Sequence, residues 1–332
     1  MSILSRRLSL ALSACLLTGA AVGAGVVREE NAGHAPLAAE TVGAAARPAV
    51  NLPSIRPTTQ IVSRFMTRRA ITIKPRPRLQ HVTASFVVST FNALGASHTA
   101  GGGAHRRFAS GTTRARYAAE LANAHNMSVI GFQELQSPQL GAFLNATGHR
   151  YAAYPGFSLG QLNTDNSLLW RASEWTMVRA FPMRIPYFHG SIRLMPAVLL
   201  QNRQTGLKVW FMNVHNPADT HGNAQRFRNA AMSREAATVN TLVAQDHVPV
   251  IFTGDFNERD LAYCRFASIG MISASGVGSG CNPPHPADVD WIFAKGSVTF
   301  TNYVADLSPL VRRTTDHQLI VAVAHLSGTR RR

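Results

Sequence analysis

Residues 250–258, with the sequence VIFTGDFNE, place a short apolar strand directly before two polar side chains. The first four residues, Val250–Thr253, are apolar or β-favouring, which predicts a buried strand. Gly254 ends this strand, and Asp255 and Asn257 follow it with one residue between them. Because alternate residues of an extended chain point to the same side, both side chains are expected to face one site. The alternative is a plain turn, since Gly, Asp and Asn are the commonest turn residues.

Five other apolar stretches of the chain also adjoin a polar side chain at one end. Ligands of α/β proteins usually bind at the carboxyl ends of sheet strands. Six such places in one chain are therefore better explained by one shared site than by unrelated turns. A carboxylate beside a carboxamide suits a hard cation or an attacking water molecule. The additional polar residues are Asn92, Glu134, Asn213 with His215, Asp290, and Asp316 with His317.

Strands that alternate with few helices predict an α/β domain in which two mixed β-sheets pack face to face with helices outside. The hydrophobic pattern predicts helices at about residues 114–124 and 224–244. Ser137 is expected to cap a further short helix, with Pro138 at its first position. The domain is expected to cover residues 83–328. This length of about 250 residues suits one large α/β domain rather than two.

The order of the polar motifs resembles that of the endonuclease/exonuclease/phosphatase superfamily, which includes deoxyribonuclease I, abasic-site endonucleases, sphingomyelinases and inositol phosphatases. The resemblance covers roughly Val82 to Leu326 and implies the four-layer α-β-β-α sandwich of deoxyribonuclease I. His215 resembles the deoxyribonuclease and sphingomyelinase branches, because the abasic-site branch carries Tyr at this place. The matching motifs are Asn92, Gln133-Glu134, Asn213-Val-His215, Gly254-Asp-Phe-Asn257, Asp290-Trp-Ile292 and Asp316-His317.

Hydrolysis of a phosphodiester needs a polarised phosphoryl group, an activated water molecule and a stabilised leaving oxygen. The resemblance implies that Glu134, with Asn92 beside it and Asp316 near it, binds Mg²⁺, with Mn²⁺ as an alternative ion. Mg²⁺ prefers oxygen ligands and takes one or two carboxylates from a protein. Asp255 is expected to accept the proton of the attacking water, and Asn257 to orient this water or hold a phosphate oxygen.

Two histidines are expected to donate hydrogen bonds to the phosphate oxygens or to the leaving group. These are His215 and His317, and each needs a carboxylate that fixes its tautomer and charge. By family analogy Asp290 supports His317. Asp288 shares a strand face with Asp290, so the two carboxylates are alternatives for this role.

The carboxylate that supports His215 is less closely defined by the resemblance. Asp165 is the better placed of the two acids that precede His215 after Glu134. The alternative to Asp165 is that the neighbouring Asn166 itself lies in the site. Three asparagines, Asn166, Asn213 and Asn216, are expected to contact the substrate phosphate.

Residues 1–24 have the features of a signal peptide, with Arg6-Arg7 before an apolar run and Val22-Gly-Ala24 as the cleavage site. A membrane anchor is the first alternative, because residues 8–27 approach the roughly 20 apolar residues that span a bilayer. Acylation of Cys15 is the second, and would give a lipid-anchored envelope protein. The small and polar residues of the run favour cleavage, and hence a secreted, bacterial-type member of the superfamily.

Residues 25–82 are rich in Ala, Pro and Arg and have no hydrophobic periodicity, so we expect a disordered basic stalk. The stalk contains nine Lys or Arg and three Asp or Glu, and the whole chain has a net charge of +16. Such an excess of positive charge indicates an anionic partner, for example nucleic acid, a phospholipid surface or a cell-wall polymer. A GC-rich genome, which favours Arg codons, is the alternative explanation.

Three cysteines are present, and Cys15 belongs to the predicted signal peptide. Cys264 and Cys281 remain, which is an even number in a protein expected to be exported. A disulfide bond between them is therefore expected.

Together these features predict an exported, Mg²⁺-dependent phosphodiester hydrolase, and in particular a nuclease that acts on DNA or RNA by attack of water on phosphorus. The alternatives are a lipid phosphodiesterase that resembles sphingomyelinases, a phosphomonoesterase, and a non-catalytic binding module. Substrate choice is expected to depend on loops such as Gly95–Gly111 and Val277–Pro286. No stable protein partner is implied, and a monomer is expected.

Overall fold

The computed structural model describes residues 79–284 and 288–331. The predicted signal peptide, Cys15 and residues 25–78 of the predicted stalk lie outside this part of the chain, as do residues 285 and 286 of the second substrate loop. The first strand begins at Leu79 and the last ends at Arg331, so each extends a few residues beyond the expected domain bounds of 83 and 328. None of the helices in the described part is long and apolar enough to cross a membrane.

Twelve strands and seven α-helices make up the described part of the domain. The strands are β1 (Leu79–Asn92), β2 (Val129–Gln133), β3 (Tyr151–Tyr154), β4 (Leu168–Arg171), β5 (Trp175–Pro186), β6 (Ile192–Asn202), β7 (Lys208–His215), β8 (Val250–Asp255), β9 (Ile272–Ser273), β10 (Asp290–Lys295), β11 (Val298–Asp306) and β12 (Leu319–Arg331). The helices are α1 (Ala96–Thr99), α2 (Gly111–Ala124), α3 (Ser137–Ala146), α4 (Gln161–Thr164), α5 (Gln225–Asp246), α6 (Asp260–Ala267) and α7 (Pro309–Thr314).

The strands form two mixed sheets of six strands each. The first has the order β11-β12-β1-β2-β4-β3, and the second has the order β5-β6-β7-β8-β10-β9. One neighbouring pair in each sheet is parallel, β1 with β2 and β7 with β8, and the other pairs are antiparallel. Because parallel strands end at the same edge, these two pairs bring the polar residues that follow them to one edge of each sheet.

The hydrophobic core has three layers, as the alternation along β8 illustrates. Ile251 packs between the two sheets, whereas Val250 and Phe252 point to the opposite face and pack with α5 and α6. A third cluster packs α2 and α3 against the outer face of the first sheet. Successive residues of a strand point to opposite faces, so a strand buried on both sides is apolar throughout. The predicted four-layer α-β-β-α sandwich is confirmed.

Two of the predicted helix starts were wrong because side chains cap the helices earlier. The Ser110 hydroxyl accepts a hydrogen bond from the Thr113 amide, so α2 begins at Gly111. Ser137 does not cap α3, since Gln136 is the capping residue and exchanges hydrogen bonds with Gln139. Ser, Thr, Asp and Asn are the preferred capping residues, so the sequence did not indicate Gln136 as the cap.

The loop after α6 returns to this helix through Cys281. The structure joins Cys264 of α6 and Cys281 in a disulfide bond, with their Cα atoms 4.4 Å apart. The predicted pairing of these two cysteines is therefore confirmed.

Candidate active site

Six of the predicted site residues come together at the edge of the sandwich where both parallel strand pairs end. Each of these residues lies at or next to a strand end, where the side chain leaves the sheet. The register places Asp255 beside the last residue of β7 and the first residue of β10. The group consists of Asn92, Glu134, His215, Asp255, Asp290 and His317.

Asp255 is the buried centre of this group. Its Oδ1 accepts a hydrogen bond from the backbone amide of Asn257 at 2.9 Å, and its Oδ2 accepts one from Asn92 Nδ2 at 3.0 Å. The same Oδ2 lies 3.5 Å from His215 Nε2 and 3.9 Å from His317 Nε2. The carboxylate is thus fixed in place and directed between two imidazole rings, which is the position for a general base that acts on a bound water molecule.

His317 forms a close pair with Asp290, whose carboxylate is buried behind it. His317 Nδ1 lies 2.9 Å from Asp290 Oδ2. Burial opposes a charge on His317, but the carboxylates of Asp290, Asp255 and Asp316 outweigh this effect and raise the pKa of His317. Burial also raises the pKa of Asp290. We expect the ion pair to prevail over a neutral pair, because two further carboxylates favour the imidazolium.

The structure distinguishes between the two carboxylates proposed as partners of His317. Asp290 contacts His317 directly. The side chain of Asp288 is 45% exposed and lies 3.9 Å from Arg259. Asp290 is therefore the partner, and Asp288 is a surface residue.

Glu134 lies opposite Asp255 and is ionised. Its Oε1 accepts a hydrogen bond from Asn92 Nδ2 at 3.2 Å, and its Oε2 accepts one from the Gly95 amide at 2.8 Å. His98 Nε2 lies 3.1 Å from Oε2, and His215 Nε2 lies 4.0 Å from Oε1. Burial alone would raise the pKa of Glu134, but these donors and charges hold it well below its usual range. The backbone φ of 58° is uncommon for a residue other than Gly, and such strain is concentrated at functional sites.

The carboxylate of Glu134 is suited to a divalent cation. Mg²⁺ is commonly bound through one or two carboxylates and keeps several waters, so an ionised and partly exposed Glu134 suits it. Asp316 is also partly exposed, and its Oδ2 lies 3.7 Å from His105 Nδ1. Asn92 differs from the expectation, since its Oδ1 accepts the Leu94 amide while its Nδ2 faces the two carboxylates. In this orientation Asn92 holds Glu134 and Asp255 in place and is not itself a metal ligand.

A second group of side chains also has the residue types of a metal site. Ligand atoms of Asp255, Asp290 and His317 all lie within 4.8 Å of one another. Asp290 Oδ2 already contacts His317 Nδ1 at 2.9 Å, and an imidazolium within the group repels a cation. For this reason we prefer Glu134 as the metal ligand and assign the Asp-Asp-His group to proton transfer and phosphate contact.

The predicted support of His215 by Asp165 is not present. Asp165 lines the same cavity as His215, but the carboxylates in contact with His215 are those of Asp255 and Glu134. Burial raises the pKa of Asp165 to about 6, with a further contribution from the nearby charge of Glu134. An acid with this pKa is still mostly ionised at neutral pH, so it is the lack of a direct contact with His215, and not a loss of charge, that separates Asp165 from this role.

Asn213 does not reach the cleft, contrary to its predicted phosphate contact. Its Nδ2 donates to the backbone carbonyls of Phe132 and Asn166, at 2.7 and 2.9 Å. Its Oδ1 accepts from Gln133 Nε2 and Thr253 Oγ1, at 2.7 and 3.0 Å. All of its hydrogen-bonding capacity is used to join the two sheets. Asn166 is different, because it lines the cavity and its buried Oδ1 has no partner in the described part of the chain.

Asn216 and Asn257 form a structural link below the cleft. Asn216 is fully buried, and its Nδ2 lies 3.4 Å from Glu235 Oε2 on α5, so it faces away from the expected phosphate. Asn257 Nδ2 donates to the Asn216 carbonyl at 2.8 Å, and the Asn257 backbone amide holds Asp255. Asn257 therefore positions the candidate base, and its contact with water or phosphate stays a prediction.

Arg114 is a positioning residue that the sequence did not reveal. Its guanidinium is buried and donates to the carbonyls of Ala93, Leu94 and Thr314 at 2.6, 2.5 and 3.1 Å, and to that of Gly95 at 3.2 Å. It thereby ties the segment after β1 to the segment before Asp316. Backbone carbonyls from distant segments carry no sequence signal, so this role is visible only in the structure.

A cavity of about 210 Å³ opens beside Glu134 and His215. Arg193 provides a positive charge on the wall of this cavity. The Arg193 guanidinium lies 5.2 Å from the Tyr187 ring and donates a hydrogen bond to the Leu162 carbonyl at 3.0 Å. Burial raises the pKa of Tyr187, which keeps its hydroxyl protonated as a hydrogen-bond donor. No motif in the sequence indicates a role for these residues. Further lining residues are His98, Asp165, Asn166, Phe188 and His221.

The two-sheet sandwich and this group of side chains define a protein with the deoxyribonuclease I type of fold. The family model described as Endonuclease/Exonuclease/phosphatase family matches residues 89–317. The chain belongs to this family, whose members include nucleases, phosphatases and phosphodiesterases that use divalent metals. A comparison with curated proteins gives no match.

Solved structures share the fold at low sequence identity. An endonuclease/exonuclease/phosphatase family protein from Bacteroides thetaiotaomicron is 19% identical, with a TM-score of 0.60 over 74% of this chain and 97% of its own. The human Nocturnin catalytic domain with bound sulfate is 18% identical, with a TM-score of 0.58 over 75% and 98%. A mannosyl-6-phosphatase from Bacteroides thetaiotaomicron is 18% identical, with a TM-score of 0.56 over 72% and 99%.

Proposed function

We propose that this chain is an exported, Mg²⁺-dependent phosphodiester hydrolase that cleaves nucleic acid by attack of water on phosphorus. The observation that carries the proposal is the position of Asp255. Its Oδ2 lies between His215 Nε2 and His317 Nε2, and the ionised Glu134 lies on the other side of His215. Phosphoryl transfer to water requires a base, hydrogen-bond donors to the phosphate and a bound cation. Asp255, the two histidines and Glu134 can meet these requirements.

In the proposed reaction the residues have separate roles: to hold the cation, to accept a proton and to donate hydrogen bonds. Glu134, with Asp316 as a second carboxylate, would hold a divalent cation, which would supply polarisation of the phosphoryl group. Asp255 accepts the proton of the attacking water. His317, kept charged by Asp290, donates to a phosphate oxygen or to the leaving oxygen, and His215 donates on the opposite side of Asp255.

Several features favour nucleic acid over a lipid substrate. All four tryptophans are buried, at 5% exposure or less, so none of them is available to enter a membrane. The net charge of +16 suits a polyanion. A non-catalytic module is not favoured, because Glu134, Asp255, Asp290, His215 and His317 are all present and in contact.

Phosphomonoester hydrolysis remains the second candidate. The observation that favours it is the small cavity of about 210 Å³ with Arg193 on its wall, because a single guanidinium suits a terminal phosphate. One structural neighbour is a mannosyl-6-phosphatase.

Export is proposed from the signal-like residues 1–24 together with the disulfide between Cys264 and Cys281. Disulfides form and persist in oxidising compartments, which supports a secreted protein.

A panel of five substrates tests the proposal and its alternatives. We expect release of acid-soluble nucleotides from DNA or RNA, and of p-nitrophenol from bis-p-nitrophenyl phosphate, in the presence of Mg²⁺. Excess EDTA should abolish both activities, because without a cation the phosphoryl group is not polarised. Release of choline phosphate from sphingomyelin, or faster hydrolysis of p-nitrophenyl phosphate than of the diester, would instead support the lipid or the monoester alternative. Diester hydrolysis that persists in EDTA would contradict the metal assignment.

A further inference from the structure

A second cavity, of about 620 Å³, lies on the other side of the catalytic group. Asp316 and His317 form part of its wall, whereas Glu134 and His215 line the smaller cavity. Because His215 and His317 both approach Asp255 Oδ2, the two cavities flank the candidate base. We call the second cavity the arginine pocket, and its other lining residues include Arg107, Phe108, Tyr117, Leu307, Arg312 and Arg313.

Three guanidinium groups line the arginine pocket, and most of their N–H donors have no hydrogen-bond partner within the described part of the chain. Arg107 lies over the Phe108 ring at 5.3 Å, and Arg313 lies over the Tyr117 ring at 5.4 Å. Arg312 donates from Nε to the Leu307 carbonyl at 2.8 Å. All three arginines are exposed. Free guanidinium forks match the geometry of phosphate oxygens, so the pocket suits a phosphate group.

The same pocket also offers apolar and aromatic surface. Phe108 and Tyr117 are half-buried, and Leu307 is 50% exposed. Aromatic rings beside arginines are the surface on which unpaired bases stack, and the volume falls in the range of pockets that hold a small ligand. A paired base has both faces covered by its neighbours in the duplex and must leave the stack to enter such a pocket.

We propose that the arginine pocket binds the unpaired nucleotide next to the phosphodiester that is cleaved, which makes single-stranded nucleic acid the preferred substrate. The phosphate of this nucleotide contacts Arg312 and Arg313, and its base packs on Phe108 and Tyr117. The proposal rests on the proposed function and identifies the substrate class of the same site.

The test is a binding measurement in an inactive background, which separates recognition from turnover. The variant Arg312→Gln/Arg313→Gln is introduced into the Asp255→Asn protein, and fluorescence anisotropy follows a labelled 12-nucleotide DNA, single-stranded or as a duplex. We expect the affinity for the single strand to fall at least about tenfold at 0.1 M salt, and the slope of log K against log salt to fall by about 0.7, since both arginines contact one phosphate and each lost phosphate contact of a single strand contributes about 0.7. The affinity for the duplex should fall less than about threefold, because its paired bases do not enter the pocket.

Two further variants distinguish stacking from charge. Phe108→Ala should weaken single-strand binding by about tenfold, in the range measured for loss of one base–aromatic contact, without a change in the salt slope. Arg330→Gln is the matched control, because Arg330 is exposed and pairs with the Gln80 end of β1, at the opposite end of this strand from Asn92. We expect Arg330→Gln to leave single-strand binding unchanged. Thermal melts confirm that each variant is folded.

The outcomes separate the pocket from the proposed function. If the Arg312→Gln/Arg313→Gln variant bound the single strand as tightly as its parent, or lost equal affinity for the duplex, the pocket assignment would be wrong even for an active nuclease. A loss of binding to phosphatidylglycerol vesicles in place of DNA would overturn it in favour of a lipid surface. The proposed function fails independently if the wild-type protein hydrolyses no nucleic acid or small diester in the substrate panel.

Discussion

Replacing Asp255 with Asn is expected to lower kcat on a phosphodiester by about 10²–10⁴, the range typical of a lost general base. The carboxamide has nearly the same shape as the carboxylate, so it keeps most of the local packing but cannot accept the proton of the attacking water. KM should change much less, because the lost interaction acts mainly on charge that develops in the transition state. Steady-state kinetics on bis-p-nitrophenyl phosphate and on an oligonucleotide provide the measurement.

The control for this substitution is Asp288→Asn, which removes another carboxylate close in sequence to the site. Asp288 is partly exposed, and its side chain contacts the surface residue Arg259 and the adjacent Val289 amide, so its loss should change kcat by less than about twofold. Thermal melts of both variants exclude unfolding as the cause. A folded Asp255→Asn protein with undiminished turnover would show that Asp255 is a structural residue.

The substitution Glu134→Gln is expected to lower kcat/KM by about 10³ and to raise the Mg²⁺ concentration needed for half-maximal activity. A Lewis-acid cation supplies several kcal/mol of transition-state stabilisation, and about 4 kcal/mol corresponds to this factor. Glu134 is the carboxylate assigned to the cation, and a neutral carboxamide binds Mg²⁺ weakly. Activity as a function of Mg²⁺ concentration, together with isothermal calorimetry of Mg²⁺ binding, measures both effects.

Glu120→Gln is the matched control for Glu134→Gln, since Glu120 is exposed on α2 and lies outside the cleft. It should leave the Mg²⁺ dependence unchanged. If Glu134→Gln also left this dependence unchanged, the cation would have to bind elsewhere, and the group of Asp255, Asp290 and His317 would become the first alternative.

The fold and the centre of the site followed from strand periodicity and from the order of the motifs. Asp255, His215 and Asp290 lie at strand ends, where a side chain that leaves the sheet has one direction available. The same periodicity misplaced Asn213. It lies on the same face as His215, but it is two residues, or about 6.6 Å, deeper in the sandwich, where it joins the two sheets.

Residues beyond the strand ends were harder to place from the sequence. Asn216 follows β7 in a loop, so no strand geometry fixes its direction, and it turns towards Glu235. Asp165 follows the short helix α4 and is displaced from His215 for the same reason. Arg114 and Arg193 act through backbone carbonyls and an aromatic ring, and partners of these kinds leave no motif in the sequence.

The measurement that tests the central claim most directly is the hydrolysis of a single-stranded DNA oligonucleotide by the wild-type protein in H₂¹⁸O. If Asp255 activates a water molecule for attack on phosphorus, mass spectrometry of the single-turnover products should find one ¹⁸O atom in each newly formed phosphate group and none in the new hydroxyl group. Label in the hydroxyl group would show cleavage of the carbon–oxygen bond. That result, or the absence of any cleavage by the folded protein in the presence of Mg²⁺, would contradict the account.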